Sequence, residues 1–107
     1  MGKLDFNRLK ILVVEDHAPT RIFLREVLEA AYEGSALVHV DRGEHAVLTL
    51  EQAAGTDRLE LFIFADEKAG QARLVAALDN LGKGAAGAAV QNLNIAMGLG
   101  ETEGLRV

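Results

Sequence analysis

The chain contains no cysteine. That one absence removes a disulfide framework, a thiolate metal site and a cysteine nucleophile together. It also has no apolar run near the roughly 20 residues needed to cross a bilayer, so no membrane partner is expected. The opening Met1-Gly2-Lys3-Leu4-Asp5 lacks the apolar stretch of a signal peptide, and a cytoplasmic protein is the expectation. Basic charge is in short supply. Eleven Lys and Arg against 16 Asp and Glu leave a net charge of −5 and a pI near 5.1. A nucleic-acid groove or an anionic membrane surface is therefore not expected as partner. The sequence holds no internal repeat, low-complexity linker or block of like charge.

At 107 residues, half of them apolar and a quarter charged, the chain fits one globular domain over 1–107, with 1–9 and 101–107 as tails. Lys10 to Val14 is a β-branched run without polar alternation, which suits a strand covered on both faces. Pro19 sits where a helix would start. Leu24, Val27, Leu28 and Ala31 follow at helical spacing, opposite Arg21, Arg25, Glu26 and Glu29, and Gly34 is a natural stop. Ala36 to Val40 reads as a second strand. Glu44 to Ala54 reads as a helix through Val47, Leu48 and Leu50, broken at Gly55-Thr56-Asp57.

Leu59 to Ala65 is the strongest strand signal. Phe62 and Phe64 mark one face and Leu59, Leu61 and Ile63 the other, which predicts burial on both. Asp66 to Gly70 is turn chemistry of hairpin length, and Gln71 to Leu78 is its antiparallel partner. The last helix is predicted from about Ala85 to Met97. Ala86, Ala89, Val90, Leu93 and Met97 form its apolar stripe, Gln91, Asn92 and Asn94 face away, and Gly98 and Gly100 end it. The expected fold class is thus α/β: a mixed sheet of about four strands with about three helices, in the order β-α-β-α-β-β-α. Its first part is parallel and its hairpin antiparallel.

Four groups of residues are candidates for chemistry. Glu15 and Asp16 at a strand end suit a hard cation such as Mg²⁺. Gly84, Gly87 and Ala88 read as close helix packing rather than a cofactor contact, while a helix beginning at Gly84 offers free N–H groups to an anion. His17, His39 and His45 lack metal-ligand spacing and read as surface or turn residues. Thr20 and Ser35 read as cap or turn residues.

The run Lys-Ile-Leu-Val-Val-Glu-Asp-His at 10–17, followed by Pro-Thr-Arg, resembles the start of a response-regulator receiver domain over about 10–28. That resemblance implies a signalling module in which Glu15 and Asp16, with Asp66, hold Mg²⁺. Against the family pattern the phosphoacceptor position falls on Ala65, with Asp66 one residue late. A one-residue slip turns a strand side chain to the opposite face.

A longer run is similar to the carboxyl-terminal part of N-acetyl-gamma-glutamyl-phosphate reductase, an NADP-dependent enzyme of arginine biosynthesis. The matching pieces are Gly-Thr-Asp-Arg-Leu-Glu-Leu-Phe-Ile-Phe at 55–64, Gly-Gln-Ala-Arg-Leu-Val-Ala-Ala-Leu-Asp-Asn-Leu-Gly-Lys-Gly at 70–84, and Gly-Leu-Gly-Glu-Thr-Glu-Gly-Leu at 98–105. The similarity covers about 55–105 and extends as far back as 22 if Ala30-Ala31-Tyr32-Glu33-Gly34-Ser35 and Val38-His39-Val40 are included. It implies that Asn80, Leu81, Lys83 and Gly84 approach the nicotinamide end of NADP. It also implies a thioester on a cysteine and a glycine-rich phosphate turn after the first strand, and this chain has neither.

These features lead to the expectation of a catalytically incomplete α/β domain, most simply an engineered or recombined chimera, binding no cofactor of its own. Its expected property is folding, or self-association as a homo-oligomer through the hairpin edge strand. The alternatives are a degenerate receiver binding Mg²⁺ and a reductase remnant binding NADP.

Overall fold

A computed structural model describes residues 19–43 and 47–107. The expected first strand at 10–14, Glu15, Asp16, His17 and His45 lie outside the described residues.

Helix α1, Thr20–Ala31, begins directly after Pro19, whose carbonyl accepts the Phe23 N–H at 3.2 Å. Proline there forfeits no helical hydrogen bond. Phe23 is the buried residue of α1, and Leu24, Val27 and Leu28 are half-buried beside it. Ala31, expected on the same stripe, is exposed. Gly34 follows with φ +77°, a left-handed conformation that a side chain would strain. The Ser35 hydroxyl then accepts the N–H groups of Leu37 and Val38. That local turn delays the strand, so β1 is Val38–Val40 rather than 36–40.

Strand β2, Leu59–Asp66, lies between β1 and β3, Gln71–Leu78. β1 runs parallel to β2 with Val38 opposite Leu59 and Val40 opposite Leu61. β3 runs antiparallel, from Leu59 opposite Leu78 to Asp66 opposite Gln71. The alternation of β2 predicts burial on both faces, and Phe62 and Ile63, which point to opposite faces, are both buried. Phe23, Leu37 and Ala53 complete the buried apolar core of the described residues. The hairpin turn closes as its residues require: Asp66 Oδ1 accepts the N–H groups of Lys68 and Ala69, and Gly70 takes φ +63°.

The mixed sheet and its parallel-then-antiparallel order match expectation, but the element counts differ. Among the described residues there are three strands, not four, and two α-helices, not three. The helix expected over 44–54 is replaced, within 47–54, by turns held by bonds such as Ala54 N–H to Glu51 O. An isolated helix this short gains its stability from burying an apolar face. Leu50 is 99% exposed and Val47 is exposed too, leaving only Leu48 of that stripe half-buried, so most of that gain is missing.

The last helix also starts differently. After β3 the chain enters a π-helical turn, Gly82–Ala86, and continues as α2, Gly87–Ala96. The expected apolar stripe of α2 is overturned: Leu93 is 57% exposed and Met97 and Val90 are exposed, whereas Asn94 is only 4% exposed. The reason is the segment after the helix. Asn94 Nδ2 donates to the carbonyls of Glu101 and Glu103, and its own carbonyl accepts the Leu99 N–H. A buried amide with its hydrogen bonds made is stable in place. The expected tail 101–107 is therefore packed along the polar side of α2.

Candidate functional site

The residues that the reductase resemblance implies for a cofactor, Asn80, Leu81, Lys83 and Gly84, fall on one short corner between β3 and α2. Asp79 organises that corner. Its Oδ1 accepts the N–H of Leu81 at 2.9 Å and of Gly82 at 3.3 Å, and its Oδ2 accepts the N–H of Gly55 at 2.8 Å. Its main-chain carbonyl accepts the Gly84 N–H at 3.0 Å, five residues on, which sets the wide π turn. The N–H groups of Gly55, Leu81 and Gly82 hold the Asp79 carboxyl below the usual carboxylate range.

This corrects the expectation of free N–H donors at the helix start. At Leu81, Gly82 and Gly84 the donors are taken, and the group taking two of them is a carboxylate. A phosphate there would meet that charge. Lys83 Nζ is also engaged, donating to Gln91 Oε1, while Gln91 Nε2 donates to Glu101 Oε1 at 2.7 Å. Asn80 and Leu81 remain exposed on the outside of the corner. The corner thus offers an amide and an apolar side chain but no vacant phosphate donor at those three residues.

Beneath it lies a second carboxylate that sequence reading missed. Asp57 is buried at 4% exposure. Its Oδ2 accepts the Arg106 N–H at 2.8 Å and Nε–H at 3.3 Å, and its own N–H donates to the Arg106 carbonyl at 2.8 Å. The Arg106 main-chain N–H, then its side chain, hold the Asp57 carboxyl below the usual range. Oδ1 of Asp57 fills a slot between Gly82 and Gly87. A Cβ on Gly82 would stand 2.5 Å from the Thr56 carbonyl oxygen and 2.9 Å from Asp57 Oδ1; one on Gly87 would stand 2.3 Å from that oxygen. Close packing, expected at Gly84 and Gly87, is strongest at Gly82 and Gly87. The only sequence signal for it is glycines placed five apart beside a π turn.

Of the candidate metal residues, Asp66 lies among the described residues, while Glu15 and Asp16 lie outside them. Asp66 is committed to the hairpin turn. No group of three His, Cys, Asp or Glu among the described residues is placed to hold a metal ion. His39 Nε2 lies 3.1 Å from the Ala36 carbonyl, a local contact that fits its turn reading. Thr20 does not cap α1; its hydroxyl donates to Glu67 and ties the helix start to the hairpin turn. A groove of about 750 Å³ opens at the carboxyl ends of β1 and β2, lined by Arg21, Ile22, Asp41, Phe62, Phe64 and Glu67 among others. No helix among the described residues is long and apolar enough to cross a membrane.

Fold and corner together describe a small mixed α/β unit that ends in a hairpin, a π turn and a clasped helix. No protein-family model matches the chain. It is 44% identical over 85 residues to N-acetyl-gamma-glutamyl-phosphate reductase of Brucella ovis, an alignment covering 76% of this chain and 27% of that enzyme. The enzymes of Brucella canis and Brucella suis match with the same identity and coverage. The chain therefore spans about a quarter of the length of these relatives. An alignment over 76% of 107 residues leaves about 26 outside it, so the similarity begins no later than about residue 27. It is not confined to the hairpin and the last helix.

Proposed function

We propose that this chain is a catalytically incomplete α/β domain of the reductase carboxyl-terminal type whose property is self-association through its hairpin, not turnover. The observation that carries this reading is β3. Among the described residues it is the outer strand of the sheet, with Leu74 56% and Leu78 39% exposed and Arg73 its one charged residue. Native sheets usually protect such an edge with charge, proline or a cover. The absent cysteine supports the other half of the reading, because the reaction implied by the resemblance needs one. A receiver-like start meeting a reductase-like segment by about residue 27 is most simply the mark of a recombined or engineered chain. Light scattering across a concentration series tests the proposal: twice the monomer mass at micromolar protein is expected, and a monomer throughout defeats it.

A second reading keeps affinity for NADP(H), favoured by the exposed Asn80 and Leu81 at the corner. It is the weaker one, since the donors of Leu81, Gly82 and Gly84 are satisfied within the chain. Calorimetric titration with NADP(H) separates the two. No heat at sub-millimolar cofactor is expected, and saturable heat lost on Asn80→Ala would favour the remnant.

A further inference from the structure

The proposed self-association has a definite geometry, and it can be read from the backbone. Leu59 donates its N–H to Leu37, and the Leu61 carbonyl accepts from Asp41. The main-chain groups of Leu59 and Leu61 therefore turn toward β1, and those of Glu60, Phe62 and Phe64, by alternation, toward β3. Their partners across the hairpin are Ala77, Val75 and Arg73. Those three use their N–H and C=O groups inward, which leaves the N–H and C=O groups of Ala72, Leu74, Ala76 and Leu78 on the outer edge. Among the described residues no strand lies beyond them.

Resting on the self-association reading, the geometry points to a second copy of this chain as the occupant: two β3 strands pair antiparallel about a two-fold axis through Val75. That register sets Leu74 opposite Ala76 of the second copy and Ala72 opposite Leu78. Every outer N–H and C=O then finds a partner, and each cross-strand pair on that face joins a large side chain to a small one. Registers centred on Leu74 or Ala76 leave one of the four edge residues beyond the pairing. A register centred on Arg73 sets two guanidinium groups face to face. With the axis at Val75, Arg73 lies opposite Ala77, and the two arginines stand about 13 Å apart along the strands. The sheet continues from one copy to the other, and Leu74 and Leu78 gain neighbours on the same aliphatic face as Leu59, Leu61 and Ile63.

The cysteine-free chain makes the register measurable. Val75 and its symmetry mate form a non-hydrogen-bonded pair, with Cα atoms about 4.5 Å apart, inside the roughly 4.4–6.8 Å a disulfide spans. Under mild oxidation Val75→Cys is expected to convert mostly to a covalent dimer of twice the mass, and Arg73→Cys to stay monomeric on a denaturing gel. Leu74→Lys, checked as folded by circular dichroism, is expected to lose the dimer. If the unmodified chain is dimeric but Val75→Cys does not cross-link, or Arg73→Cys does so equally, the edge pairing is overturned while self-association stands. A dimer that survives Leu74→Lys overturns it too. A monomeric unmodified chain removes both.

Discussion

Asp57 and Arg106, 49 residues apart, hold each other at three points, two into the carboxylate and one from the Asp57 N–H to the Arg106 carbonyl. Together they fasten the end of the chain under the π turn. Arg106→Ala keeps the main-chain bonds and loses only the half-exposed side-chain contact, so its effect on the denaturation midpoint is expected to be small. Asp57→Ala removes the acceptor for both donors and is expected to lower that midpoint well beyond Arg106→Ala. Equal effects would show that the guanidinium, not the backbone, is the fastening.

Acid stability follows from the same carboxylates. Asp57 and Asp79 have folded-state pKa values below their unfolded ones, near 4. Between the two values the unfolded state binds more protons, so stability rises with pH there. Their contribution is complete above about pH 4 and is lost as pH falls through the depressed folded values. Urea midpoints measured from pH 6 down to pH 2 are expected to fall below pH 4, with a shallower fall in Asp57→Asn and Asp79→Asn. A pH profile unchanged by both substitutions would contradict this.

Gly87 offers a test whose sign is decided by packing. The residue has an ordinary helical φ of −63°, so propensity alone predicts that Gly87→Ala stabilises by roughly 1 kcal/mol. A Cβ there would stand 2.3 Å from Asp57 Oδ1, and overpacking of that kind costs about 1–3 kcal/mol. Gly87→Ala is therefore expected to destabilise, and the loss is expected to shrink when Asp57→Ala is already present. Additive behaviour in that double-mutant cycle would mean the two residues do not share the slot.

What the sequence made legible were the parts decided by near neighbours. The hairpin was readable because β2 is apolar on both faces and Asp66 to Gly70 closes a turn by local bonds. Gly34 was readable as a helix stop for the same reason. Within 47–54 the expected helix gives way to turns because Val47 and Leu50 meet no surface to bury against, and a pattern cannot report that. In the sequence Asp57 reads as a helix breaker and 101–107 as a tail, because their meeting depends on a contact spanning 49 residues. At the corner after β3 the residues were legible, but the use of their donors was not, since Asp79 reads only as one polar residue of Asp79-Asn80-Leu81-Gly82.

Phe62 gauges how little core supports the rest. It is among the largest fully buried side chains, within a core of five apolar residues among those described. Phe62→Ala is expected to cost about 3–5 kcal/mol, against a total of about 5–15 kcal/mol for an ordinary domain. Thermal unfolding of the variant is expected to show a transition lowered by tens of degrees or none above room temperature. A shift of only a few degrees would place the main core elsewhere.

Helix α2 supplies the sharpest contrast between pattern and structure. By its pattern Leu93 belongs inside and Asn94 outside. In the fold Asn94 holds the carbonyls of Glu101 and Glu103, and Leu93 faces out. Removing a buried amide strands its partners at about 1–3 kcal/mol, whereas an exposed substitution moves stability by about 0.5 kcal/mol or less. Asn94→Ala is thus expected to destabilise by the larger amount and Leu93→Gln by the smaller. Proteolysis adds a spatial readout, since Asn94→Ala frees the segment after Gly98 and cleavage at Arg106 is expected to quicken, while Leu93→Gln leaves it unchanged. The reverse order of effects would mean that Leu93 is covered in solution, and the surface covering it would then lie outside the contacts seen in one copy of the chain.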